Sequence, residues 1–87
     1  MKDLFERMYE DMYKVAEKNN VSRSKAFGVF IHAYDKHKAQ HGSFKGHPEY
    51  RDAMEGRYRY MHDQAIAYIN SEVEKREAKK GDLTDKL

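Results

Sequence analysis

The chain has 87 residues, enough for one domain. Apolar residues make up 39%, aromatics 13% and charged residues 37%, so there is enough ring and aliphatic surface for a core, and the composition fits a helical protein with well-solvated faces better than disorder. With no cysteine, disulfides and thiolate chemistry are excluded, and no apolar run reaches the length of about 18 residues that a membrane-spanning helix needs.

A chain this short buries only about 60–65% of its unfolded surface, so modest stability is expected unless it self-associates or binds a partner. The N-terminus carries no signal-peptide pattern, and a cytoplasmic location is expected. Formal net charge is +2 but unevenly spread. The first twenty residues hold four basic and five acidic side chains. Residues 21–47 hold five basic ones (Arg23, Lys25, Lys36, Lys38, Lys45), one acidic one (Asp35) and four of the five histidines. A local basic patch favours an anionic partner. Cations are also favourable near a helix C-terminus in their own right.

A first helix is predicted over Lys2–Lys18. Leu4, Phe5, Met8, Met12, Val15 and Ala16 form its apolar stripe, with Tyr9 and Tyr13 on the flank. Asp3 and Glu6 lie in its first turn, where carboxylates suit the helix dipole. Asn19-Asn20 ends it, because Asn tolerates the left-handed conformation of a helix cap.

The second helix runs from about Arg23 to Ala39 or Gln40, with Ser22 or Ser24 as N-cap. It is the most apolar stretch of the chain. Phe27, Phe30, Ile31 and Tyr34 fall on one face, and Ala26, Val29 and Ala33 on a second, so neighbours on two sides are expected. Lys25, Gly28, His32 and Lys36 form the outward strip. Gly28 costs about 1 kcal/mol relative to Ala in a helix and suggests a close approach by another backbone.

His41–Gly46 reads as a loop whose lone aromatic, Phe44, plugs the core. Pro48 suits the first position of a third helix, whose pattern extends to about Lys80. One unbroken helix of that length would span about 50 Å, and Gly56 could bend or split it. Met54, Tyr58, Met61, Ala65 and Tyr68 give one stripe, and Ile66, Ile69 and Val73 a second. Two short helices cannot cover both, so a homodimer or a partner is expected. Residues 74–80 should project into solvent and 81–87 form a flexible tail. The expected fold is all-α: a three-helix bundle with a long C-terminal third helix, residues 1–80 forming a single domain.

Three constellations could carry function. The first is the segment Val15–Val29. It resembles the helix-turn-helix of lactose-repressor-type regulators, with a small residue at Ala16, a turn residue at Asn20, and Val21, Ala26 and Val29 on the inner face. Asn19 and Phe27 depart from that pattern. The resemblance implies that Ser22, Arg23, Ser24 and Lys25 face double-stranded DNA at the start of a recognition helix, in a dimer. The second is a surface of tyrosine and arginine, Tyr9, Tyr13, Arg57, Arg59 and Tyr60, residue types enriched where proteins dock. The third is His37 with His41, at the spacing where two imidazoles share one ion. Lys38 replaces the Glu of zinc-hydrolase motifs, so no metal site is assigned.

No catalytic signature or cofactor motif is present. His62-Asp63 sets a base beside a carboxylate, but adjacent helical residues do not face each other. The leading expectation is a small non-enzymatic regulator that docks on a protein target as adaptor or inhibitor. Its size class is common in phage and mobile-element genomes, where such proteins act on host or defence proteins. The alternative is the helix-turn-helix DNA-binding regulator.

Overall fold

The computed structural model describes residues 3–86, with side chains through Glu77. It consists of three helices, α1 (Leu4–Lys18), α2 (Arg23–His41) and α3 (Tyr50–Lys86). Sequence-local chemistry accounts for most of their ends. Asp3 is the N-cap of α1, and its Oδ1 accepts from the Glu6 N–H at 2.8 Å. Asn20 adopts φ +57°. The Val21 N–H then donates to Ala16 O (2.9 Å) and the Asn20 N–H to Glu17 O (3.1 Å). These are the two bonds of a Schellman cap, and the accompanying apolar contact falls on buried Ala16 and Val21. Ser22 Oγ caps α2 through the Lys25 N–H at 3.4 Å.

The third helix begins two residues later than Pro48 predicts. His47 Nδ1 takes the Glu49 N–H (3.0 Å), and Ala53 N–H to Glu49 O (3.0 Å) is the first helical bond. Pro48 therefore belongs to the turn. α3 continues without a break through Gly56, so that glycine does not split it. The side chains after Glu77 lie outside the described residues, but the backbone over 81–86, expected as a tail, continues α3 as helix.

The contacts fix the directions. Phe5 meets Phe30 (ring centroids 5.6 Å apart) and Tyr9 meets Phe27 (5.4 Å), so α1 and α2 are antiparallel. Phe5 meets Tyr58 (5.4 Å), and Asn19 accepts from Arg76, so α1 and α3 run the same way. α2 and α3 share the most extensive interface. Met12, Ala16, Val21, Ala26, Phe30, Ala33, Met61, Ala65 and Ile69 form the core. Of the second stripe of α3, Ile69 joins this core and Ile66 packs against it, whereas Val73 lies outside it. Ile69 is fully buried, while Ile66 and Val73 are half-buried.

Three expectations change. A Cβ built on Gly28 or on Gly56 meets nothing within 4 Å, so neither marks a close backbone approach. Ile31 is 37% exposed and does not join the Phe27–Phe30–Tyr34 face. It lies about 100° around the helix from Phe30, outside the face that Ala26, Phe30 and Ala33 bury. Arg76, in the stretch expected to project freely, donates from Nη1 to Asn19 O and from Nη2 to Asn20 O (both 2.7 Å), clamping the α1–α2 turn.

Candidate functional site

α2 and α3 outrun the N-terminus of α1, and this leaves an opening at one end of the bundle. Among the described residues the two exposed large hydrophobics are Ile31 on α2 and, at 49% exposure, Tyr50 in the first turn of α3, which lines this opening. An open cleft of about 500 Å³ lies between the starts of α1 and α3, with Leu4, Phe5, Met54 and Tyr58 among its walls and Asp3, Asp52 and Glu55 on its polar side. Burial raises the Tyr58 hydroxyl pKa, with smaller contributions from Tyr50 and Asp3. A second cleft of about 470 Å³ continues from Tyr50 and Met54 toward the α2–α3 loop, reaching Tyr34, Ser43, Phe44, Lys45, Gly46 and Arg57.

Arg57 is the least expected feature of this end. Only 1% of its surface is exposed. It stands at the core register of α3, three residues after Met54 and four before Met61, where an apolar residue would ordinarily sit. Its Nε donates to His37 Nδ1 at 3.0 Å and its Nη2 to Gly42 O at 2.6 Å. The Phe44 ring lies 4.2 Å from the guanidinium carbon and the Tyr34 ring 5.3 Å. A guanidinium can only donate, so His37 presents its Nδ1 lone pair and, when neutral, carries its proton on Nε2. Burial holds the His37 pKa below 6.5, with further lowering by the nearby His41 and Arg57. Phe44, expected to plug the core, instead lies half-buried outside the core cluster and covers this cation.

The five residues read as one docking surface are dispersed. Arg57 is interior, reached only through the cleft it lines, and presents no surface on which a partner could dock. Tyr9 and Tyr13 are half-buried, their hydroxyls hydrogen-bonded to each other, with Tyr9 stacked among Phe5, Phe27 and Phe30. That hydrogen bond, and then desolvation, raise the Tyr9 pKa. Tyr60 is half-buried against His37 (5.2 Å). Arg59 is exposed, paired with Glu55 at 3.0 Å on the far side, and borders a third cleft with Leu4, Met8 and His62. The helix stripe gave the periodicity but not which arginine falls beneath a loop.

Ser22, Arg23, Ser24 and Lys25 are all exposed at the start of α2. Arg23 is held by Glu17 (3.1 Å) and lies over the Tyr13 ring (5.6 Å). The turn chemistry of the helix-turn-helix is present, with Ala16, Val21 and Ala26 buried, but the helix pair is closed. Phe5 lies about 21 Å from the turn along α1 and Phe30 about 15 Å along α2. A near-perpendicular pair would separate them by about 26 Å. Their rings are 5.6 Å apart, so α1 and α2 form an antiparallel hairpin, whereas helix-turn-helix pairs cross at about 90–120°.

The His37 and His41 ring centroids lie 4.3 Å apart, with the planes tilted by 36°. Among the described residues no group of three potential ligands converges on a metal position there or elsewhere. His62 has an unforeseen partner, with Nε2 2.5 Å from Asp11 Oδ2 on α1 and Nδ1 3.4 Å from Asp63. Only the packing of α1 against α3 could bring Asp11 there. No family model, curated protein or solved structure matches the chain. Among the described residues no helix is long and apolar enough to cross a membrane.

Proposed function

We propose that this chain is a small non-enzymatic regulator that docks on another protein, taking an apolar side chain of its partner into the groove at the open end of the bundle. The observation that supports this reading is the groove itself. Elsewhere the large apolar side chains of the described residues are at least half-buried, while Tyr50 stays exposed on a cleft walled by Leu4, Phe5 and Met54, and Ile31 is exposed on α2 next in sequence to Phe30, which meets the cleft residue Phe5. An exposed apolar patch on a small protein marks a contact surface. The action would be steric: the bundle occupies a site on its target, as an inhibitor or adaptor encoded by a phage or mobile element would do, in a host cytoplasm.

Tyr50 and Ile31 are exposed, so Tyr50→Ser and Ile31→Ser leave the core intact. Tagged chain is used to capture partners from lysate with and without nuclease. A discrete protein held by the parent chain and lost from the Tyr50→Ser, Ile31→Ser double variant supports docking through the groove. Retention unaffected by the substitutions overturns it. Recovery of nucleic acid, sensitive to Arg23→Ala with Lys25→Ala and to salt, would favour the DNA-binding alternative, in which those exposed cations meet phosphates in a dimer.

A further inference from the structure

We propose that the cleft over Arg57 is an oxyanion-binding site, taking a carboxylate or phosphate group carried on a flat apolar body. This goes beyond the docking reading and does not rest on it. A guanidinium carries five N–H donors. Arg57 uses Nε on His37 and Nη2 on Gly42 O, and Nη1 has no partner among the described residues. Among the described residues no carboxylate pairs with it, although its surface is 99% withdrawn from water, a depth at which arginine is ordinarily ion-paired. The protein supplies only neutral compensation: an imidazole lone pair, one carbonyl and two aromatic faces.

The cleft that Arg57 lines contains no acidic residue. Lys45 adds a second cation and Ser43 a hydroxyl, while Tyr34, Phe44, Tyr50 and Met54 make apolar walls. A buried cation with unspent donors, a cationic rim and ring-lined walls together match a carboxylate or phosphate attached to a ring. Arginine is the side chain best shaped to receive either group, through two parallel N–H bonds.

The test is a titration of the whole chain with benzoate and, separately, with phenyl phosphate, at constant ionic strength with chloride as control. The Arg57 Nε–H resonance and the amides of residues 42–46 are followed by NMR. The expected result is a saturable shift, with benzoate or phenyl phosphate the tighter ligand according to which oxyanion the cleft prefers. Lys45→Ala, an exposed change that spares the fold, should weaken it about two- to fivefold, the effect of one solvent-exposed charge pair. A shift that fails to saturate, that chloride reproduces, or that Lys45→Ala leaves unaltered would overturn the proposal and leave Arg57 as a staple for the loop.

Discussion

Replacing Gly28 and Gly56 by alanine should stabilise this protein. Both sit inside helices, α2 and α3, at exposed positions where an added Cβ meets nothing within 4 Å. With no steric cost, what remains is helix propensity, about 1 kcal/mol per site, which comes largely from the unfolded chain losing freedom. The two positions lie on different helices and share no partner, so the effects should add to about 2 kcal/mol. For a domain of this size that raises the melting temperature by about 8–16 °C. Circular-dichroism melts of the parent, both single variants and the double variant, each at several concentrations, measure it. A melting temperature that stays level or falls would refute the reasoning. A fall confined to high concentration would mean that a second copy of the chain packs its backbone against that glycine, the self-association expected from the stripes of α3.

Two further substitutions probe the interior. Phe30→Ala removes a fully buried ring that contacts Phe5, Tyr9 and Phe27. It should cost about 3–5 kcal/mol in urea denaturation, and a loss under about 1 kcal/mol would place the core elsewhere. His37 has a lowered pKa, so the folded chain holds fewer protons than the unfolded one between that value and 6.5. Its contribution is complete above about pH 6.5 and declines as pH drops, levelling off below the folded pKa. Protonation also removes the lone pair that accepts from Arg57. His37→Gln keeps an acceptor without titrating, so the stability of the parent relative to this variant should diminish from about pH 7.5 to pH 5. A difference independent of pH across that range would contradict the assigned hydrogen bond.

Much of the fold was legible because it is written in local chemistry. Asn20 takes the left-handed turn, Ser22 caps α2, and the spacings of Met12 with Ala16, of Ala26 with Phe30, and of Met61 with Ala65 select the buried faces. Each depends on residues within one or two helical turns, so three helices and their order follow from the sequence by itself. The site was not legible, because it depends on where the helices stop relative to one another. Periodicity places Ile31 on an apolar face, but only the packing of α1 and α3 on α2 decides that Phe30 is covered and Ile31 is not. Arg57 occupied the core register in plain view between Met54 and Met61, yet its charge argued for the surface. Gly42 and Phe44, brought over it by the loop, supply the hydrogen bond and ring face that let an arginine replace an apolar residue. The pairing of Asp11 with His62 and the grip of Arg76 on the α1–α2 turn are likewise long-range. Helix identity here is a matter of backbone bonds and short spacings. Which side chains meet is a matter of helix length and register, and those belong to the tertiary structure alone.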